Sequence, residues 1–252
     1  MKILILTGNN EYCNLFCSNI QAKFINTYIV REESTSKLKI LKKRIKRKGM
    51  IFVLNQLLFQ ILICKFLFII SRKRLKFLKY KIEKNNFEFK NQFHVNNINS
   101  ESSLKHILNI KPDLIIVFGT RIIKKHIIDS INCSIVNLHF GITPHYRGVH
   151  GAYWALVNND FLNCGVTLHN LDYGIDTGNI IFQKSIVISK YDNFITYPLI
   201  QLDSGLKIIF DYVLNYNIYS SKKSQKNKVK GMLYSHPTFT LYLKNLILNN
   251  VK

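Results

Sequence analysis

Short strand-like runs that alternate with helix-like stretches constrain the architecture of this chain most strongly. Lys2 to Leu6, Thr27 to Arg31 and Leu114 to Phe118 are apolar runs of strand length. Further strands are expected at Ile135 to Phe140, Gly165 to Leu171 and Ile180 to Ile188, and helices at Tyr12 to Phe24, Leu104 to Leu108, Lys124 to Ile131, Val149 to Asn158 and Ile195 to Tyr216. Parallel neighbours need crossover connections, so this alternation predicts an α/β fold with a mostly parallel, doubly wound, Rossmann-like sheet. The expected organisation is a principal domain over 1–188, carrying a basic and apolar helical insert over 37–90, followed by a C-terminal helical appendage over 189–252.

A chain of 252 residues can bury a full core, and its 47% hydrophobic and 12% aromatic content excludes a disordered protein. Its cysteines, Cys13, Cys17, Cys64, Cys133 and Cys164, form no Cys-x-x-Cys pair, so neither a zinc site nor a disulfide framework is expected. The apolar run at Met1 to Leu6 is too short for a signal-peptide core and reads as the first strand, which implies a cytoplasmic protein.

The stretch from Asn137 to Ile181 holds the chemistry. Alternation along the strand Ser134 to His139 puts Asn137 and His139 on one face. The strand runs into a turn-rich segment containing Gly141, Pro144, Tyr146, Arg147 and Gly148, and open α/β sheets place ligands beyond the carboxyl ends of their strands. Downstream, Asp172 to Gly178 supplies two carboxylates and glycines in a tight turn. An amide, an imidazole and a carboxylate that converge can stabilise an oxyanion and manage a proton, as acyl transfer to an amine requires. Asp176 is expected to orient His139 and raise its pKa. The plainer reading keeps His139 as a half-buried strand residue and Asp176 as a turn cap.

Asn137-x-His139, Pro144, Arg147-Gly148, Gly165-Val166-Thr167 and Asp176-Thr177-Gly178 together resemble the formyltransferase domain that uses 10-formyltetrahydrofolate. Members of that family formylate glycinamide ribonucleotide, methionyl-tRNA or nucleotide-linked amino sugars. The resemblance implies that Asn137 and a protonated His139 donate to the developing oxyanion while Asp176 orients His139 and relays the amine proton. It also implies a pterin-side loop at Gly119 to Ile123, which makes Arg121, Ile122 and Ile123, together with Asp172, candidate folate contacts. Tyr146 and Arg147 are candidate acceptor contacts, with Arg147 facing a phosphate. His150 and His169 are expected to be structural.

The sequence departs from the family pattern in informative places. His139 is followed by Phe140-Gly141-Ile142-Thr143-Pro144 instead of Pro-Ser-Leu-Leu-Pro, and Thr7-Gly8-Asn9-Asn10 replaces the glycine- and serine-rich phosphate loop of the purine branch. The residues after Ser185 leave too little length for the C-terminal barrel of the methionyl-tRNA branch. A small-molecule amine on a nucleotide-linked amino deoxysugar for surface polysaccharide is thus the leading acceptor, with glycinamide ribonucleotide and methionyl-tRNA as alternatives. A homodimer is left open.

Residues 37 to 90 hold seventeen Lys or Arg against two Glu, most of the formal net charge of +22. Within them Met50 to Ile70 is nearly free of charge and long enough to span a bilayer. Three readings stand: a packed helical insert, an interfacial helix held to anionic lipid at the inner membrane surface by its basic flanks, and a true span. The basic surface also suits an anionic substrate. No aromatic-basic RNA motif or helix-turn-helix signature is present, so nucleic acid is not the expected partner. Ser220 to Lys230 reads as a solvated linker ahead of a docking helix in the tail.

Two functions of different class follow: an N-formyltransferase, or a catalytically altered relative that binds a membrane surface or nucleic acid. The first predicts that His139→Ala and Asp176→Ala fold but lose nearly all turnover, which steady-state assays alongside circular dichroism would check; wild-type rates in either variant would overturn the site assignment.

Overall fold

The computed structural model describes residues 1–34, 36–84, 87–221 and 231–252, so most of the expected linker Ser220 to Lys230 lies outside the described residues. The chain begins with β1 (Ile3–Thr7), α1 (Glu11–Lys23) and β2 (Thr27–Glu32). The insert follows as α2 (Lys37–Lys48), α3 (Met50–Leu58), a π-helical turn (Phe59–Ile63), α4 (Cys64–Ile70) and α5 (Arg72–Ile82). Next come β3 (Gln92–Val95), α6 (Glu101–Ile110), β4 (Leu114–Phe118), α7 (Lys125–Asp129) and β5 (Ser134–His139). The remainder is β6 (Tyr146–Gly148), α8 (Gly151–Val157), β7 (Gly165–Asn170), β8 (Ile180–Ser185), α9 (Tyr197–Leu214), α10 (Tyr216–Ser221), β9 (Met232–Tyr234) and α11 (Phe239–Asn249).

Among the described residues, seven strands form one sheet in the order β3-β2-β1-β4-β5-β7-β8. The first five are parallel, whereas β7 pairs antiparallel with both β5 and β8. This is the expected mostly parallel, doubly wound α/β sheet. The sequence reading missed β3, β6 and β9, which are only three or four residues long and too short to carry a clear period-two pattern.

Alternate residues of each central strand feed opposite faces. Ile3, Ile5, Leu114, Ile116, Val136 and Leu138 pack with α1, α5 and α9. Leu4, Leu6, Val30, Ile115, Val117 and Ile135 pack with α6 and α7 on the other side. Local signals set the helix starts: Asn10 Oδ1 accepts from the Cys13 N–H at 3.0 Å, and Ser100 Oγ accepts from Ser103 at 3.2 Å. Although α9 falls within the appendage expected over 189–252, its Leu199, Leu202, Leu206, Ile209 and Tyr212 belong to the core under the sheet.

The insert docks on a separate cluster around α8 and α11. Phe59, fully buried, meets Phe194 edge-on at 4.9 Å and Tyr242 at 5.0 Å. Gln56 Nε2 donates to the His236 carbonyl at 2.6 Å, and Asn55 Nδ2 donates to Thr240 Oγ1 at 3.1 Å. At the far end the Arg74 guanidinium grips both oxygens of Asp192 at 2.8 and 3.0 Å. Two of the amides that interrupt the apolar run, Asn55 and Gln56, thus bind α11 and its approach, so the helix lies along the domain through one packed face.

Removing Phe59 should test this anchorage. Phe59→Ala is expected to cost about 3–5 kcal/mol of stability in urea unfolding, because the closely packed aromatic cluster cannot collapse into the vacated space; a loss below about 1 kcal/mol would show that the insert is not anchored there.

Candidate active site

Antiparallel pairing of β5 with β7 sets Asn137 opposite His169 and His139 opposite Thr167. These side chains meet Asp176, which arrives from the turn between β7 and β8. Asp176 Oδ1 lies 3.4 Å from His139 Nδ1, 3.5 Å from Asn137 Nδ2 and 3.8 Å from His169 Nε2. Its Oδ2 accepts from the Gly148 N–H at 2.9 Å. The three predicted catalytic residues therefore come together around one carboxylate.

The turn that delivers Asp176 is tightly tied. Asp176 has φ +52°, the left-handed region that acidic and amide side chains tolerate better than most. Asp172 accepts from Thr177 Oγ1 at 2.7 and 2.8 Å and from the Gly174 N–H at 3.1 Å. Gly178 leaves no room for a side chain, since a Cβ there would sit 1.7 Å from the Asn170 carbonyl oxygen. On the opposite wall, Gly148 has φ +93°, and a Cβ would meet the Tyr234 carbonyl oxygen at 2.3 Å. β6 can therefore lie against β9 and still aim its Gly148 N–H at Asp176 only because glycine occupies that position.

Proton positions follow from the fixed acceptors. His139 Nε2 faces the Tyr146 carbonyl at 2.8 Å and must donate to it. His169 Nδ1 faces the Asn170 carbonyl at 2.8 Å, which leaves Nε2 to accept from the Asn137 amide at 3.0 Å. The second N–H of Asn137 has only the long 3.5 Å approach to Asp176, so it is available to an incoming oxygen.

Burial lowers the pKa of His139 below its ordinary 6.5 and outweighs the upward pull of Asp176 and the Tyr146 carbonyl. Against the expected upward shift, desolvation favours the neutral ring, and with Nε2 committed to the Tyr146 carbonyl it is Nδ1 that faces Asp176. For Asp176 burial acts upward, but the neighbouring His139 and His169 rings and the Gly148 N–H prevail and bring its pKa from 3.8 to about 2. The site thus holds an anion poised to stabilise an imidazolium formed at its edge.

Other candidate residues sit differently from expectation. Tyr146 is buried; its hydroxyl donates to Asp160 Oδ2 at 2.8 Å and its ring stacks on Tyr234 at 5.5 Å, so only its carbonyl reaches the site. Arg147 donates to the Ile175 carbonyl at 2.8 Å and the Gly231 carbonyl at 3.3 Å, which fixes it to backbone instead of leading it to a phosphate. Asp172 is a turn cap. Arg121 pairs with Glu32, its Nε 2.5 Å from Oε1. Ile122 is 57% exposed beside the carboxyl ends of β1 and β4, whereas Ile123 turns into the core at 4%.

His169 is the residue that sequence reasoning placed among the structural histidines, yet it touches both Asn137 and Asp176. Alternation alone puts Thr167 and His169 on one face of β7, but only the cross-strand register brings them to the site. His150 conforms to expectation: it bonds His236 at 2.8 Å in the core near α8, and burial holds its pKa well below normal.

A cavity of about 500 Å³ opens from Val149, next to Gly148. Lys43, Arg44, Arg47 and Lys48 of α2 line it together with Gln56 and Tyr234, and among the described residues no carboxylate faces it.

One buried carboxylate surrounded by an amide donor and a proton-accepting imidazole is equipment for acyl-group transfer, and the sheet presents it at its carboxyl edge. The formyl transferase family model matches residues 68–198, and the chain belongs to that family. A methionyl-tRNA formyltransferase of Borrelia garinii subsp. bavariensis is 34% identical over 106 residues, 42% of this chain but 33% of the relative, so the match spans about a third of that protein. Among solved structures, a sugar N-formyltransferase from Shewanella sp. superposes with TM-score 0.57 at 17% identity, covering 93% of this chain and 76% of the other. WlaRD, a sugar 3N-formyl transferase solved in the presence of dTDP and 5-N-formyl-THF, has TM-score 0.54 at 20% identity, covering 93% and 69%. At those identities the likeness is one of fold.

The depressed Asp176 pKa carries a pH signature. A carboxylate more acidic in the folded state stabilises the fold above its ordinary value of 3.8, and that stabilisation disappears as pH falls toward about 2. It amounts to about 2 kcal/mol. Urea unfolding of the wild type should therefore lose more stability between about pH 5 and 2 than Asp176→Asn does; equal slopes would place Asp176 outside the coupled site.

Proposed function

We propose that this protein transfers a formyl group from 10-formyltetrahydrofolate to the primary amine of a nucleotide-linked amino sugar. The observation that carries the reaction is His139 Nδ1 held 3.4 Å from Asp176 Oδ1, with the spare Asn137 N–H alongside. The residues at the sheet edge fit a formyl carrier: Ile122 offers exposed apolar surface for a ring, and Asn137 supplies a neutral donor to a carbonyl. The folate brings the activated formyl group and the leaving nitrogen.

The chain's own residues perform the remaining tasks. Asn137 Nδ2 donates to the formyl oxygen as negative charge gathers on it during amine attack. His139 Nδ1 accepts the proton that the amine nitrogen sheds once it has bonded to the formyl carbon, and Asp176 stabilises the imidazolium so formed. That proton then passes to the leaving nitrogen as the old carbon–nitrogen bond breaks, which restores the neutral ring. Alignment of amine and formyl carbon does the rest, so no enzyme-bound acyl intermediate is needed.

The acceptor assignment is supported by the cation-lined cavity beside Gly148. Four Lys or Arg of α2 suit a diphosphate, and the cavity opens next to the backbone that holds Asp176. The fold likeness to sugar N-formyltransferases points the same way. Methionyl-tRNA is the competing acceptor, favoured by the sequence likeness over the matched region.

Purified protein with 10-formyltetrahydrofolate and a panel of nucleotide-linked amino sugars, glycinamide ribonucleotide and methionyl-tRNA should formylate a sugar, seen as a mass increase with stoichiometric tetrahydrofolate release. Formylation of tRNA alone would replace the acceptor, and no product from any acceptor would overturn the reaction. Asn137→Ala is expected to lower kcat by about 100-fold, equivalent to roughly 3 kcal/mol of oxyanion stabilisation. Lys43→Ala with Arg47→Ala should instead raise KM about ten-fold and leave kcat near wild type, the signature of lost ground-state binding.

A further inference from the structure

The helix running from α3 through α4 has two faces of opposite fate. Val53, Gln56, Phe59 and Leu67 are buried against α8 and α11. Ile51, Leu54, Leu58, Ile61, Leu62, Phe66 and Ile69 recur at three- and four-residue spacing on the other side and are exposed, Ile51 by 84% and Phe66 by 58%. At 1.5 Å per residue this stripe is about 27 Å long. Lys65 is the basic side chain within it, and its long apolar stem can lie along the stripe while the ammonium reaches water or headgroups. Soluble monomers seldom expose a continuous apolar surface of this extent.

Charge selects the occupant. Exposed Lys42 and Lys46 precede the stripe, and exposed Arg72, Lys73 and Lys76 follow it. A second copy of the chain would bring basic end against basic end in either orientation, in a protein of net charge +22. An anionic lipid surface satisfies both features at once, with acyl chains for the stripe and headgroup phosphates for its ends. We propose that the α3–α4 helix is an interfacial anchor that seats this protein on anionic membrane, lying in the plane of the headgroups with its packed face toward the domain.

The packed face excludes the helix from crossing the bilayer while the domain keeps this fold, because Gln56 and Asn55 are bonded to the His236 carbonyl and Thr240. The cations facing the cavity by Val149 are Lys43, Arg44, Arg47 and Lys48, so Lys42 and Lys46 are free to meet lipid. The inference is independent of which amine the site formylates.

Flotation of the purified protein with vesicles of phosphatidylcholine alone or mixed with phosphatidylglycerol tests it. The wild type should bind the anionic vesicles at least about ten-fold more than the neutral ones, and binding should weaken in about 0.5 M salt. Ile61→Ser, Leu62→Ser and Phe66→Ser together should abolish binding while the melting temperature and light-scattering mass stay unchanged. If that variant fails to fold, Lys42→Glu, Arg72→Glu and Lys73→Glu provide the second arm, again with loss of flotation expected. Failure of the wild type to float, retention of flotation by either folded variant, or a wild-type dimer that becomes monomeric on serine substitution would overturn the proposal. Resistance of membrane-bound protein to carbonate extraction would do the same, since it would indicate a span.

Discussion

The antiparallel pairing of β5 with β7 is the contact on which the site depends. In the parallel part of the sheet each strand carries apolar side chains to both faces, and helices cover them. At β5 the sheet changes direction, and the register Asn137 to His169 and His139 to Thr167 places polar residues side by side at the strand's carboxyl end. Thr167 is spent on structure there: its hydroxyl donates to the Gly141 carbonyl at 2.7 Å and accepts from the Thr143 N–H at 3.1 Å. A slip of one residue would turn these side chains to the opposite face and scatter the cluster. The site is therefore as rigid as the ladder beneath it.

A buried carboxylate is costly unless it is paired and hydrogen-bonded. Asp176 meets that requirement with one backbone donor and three polar neighbours, and it does so from a left-handed backbone position closed by Asp172 and Gly178. His139 is shaped by the same burial in the opposite sense: desolvation lowers its pKa and favours the neutral ring, which can take up a proton when chemistry supplies one. One polar cluster in a dry setting thus yields an anion beside a neutral base. Both pKa values fall, the carboxyl to about 2 and the imidazole below 6.5, and His169, bonded on both ring nitrogens, keeps the Asn137 amide aimed.

The insert ties together the remaining features of the chain. Its helix α2 lines the cavity beside Gly148, its α3–α4 helix covers the cluster around Phe194 and Tyr242, and α5 reaches the main core through Leu75, Leu78 and Ile82. β9 then closes over β6, so the segment after α9 helps hold the loop that carries Tyr146 and Gly148. Charge and apolarity that look contradictory in the sequence are separated in space. Cations face the cavity and the ends of the stripe, and the apolar residues divide between a packed face and an outward one.

Sequence alone determined the α/β class, the central strands and the convergence of Asn137 and His139, because strand alternation and short apolar runs are local properties. It also singled out Asp172 to Gly178, since two carboxylates among glycines have few uses outside a tight turn. The partners of each side chain were decided only in three dimensions. Arg147 and Tyr146 read equally well as ligand contacts until β6 paired with β9 and bound them to Ile175, Gly231 and Asp160. His169 joined the site through a cross-strand register, and the charge state of His139 was set by burial, neither of which a linear pattern contains. The fate of Met50 to Ile70 was likewise a tertiary matter: composition makes a helix of that length apolar, but which face is packed depends on where Phe194, His236, Thr240 and Tyr242 meet it.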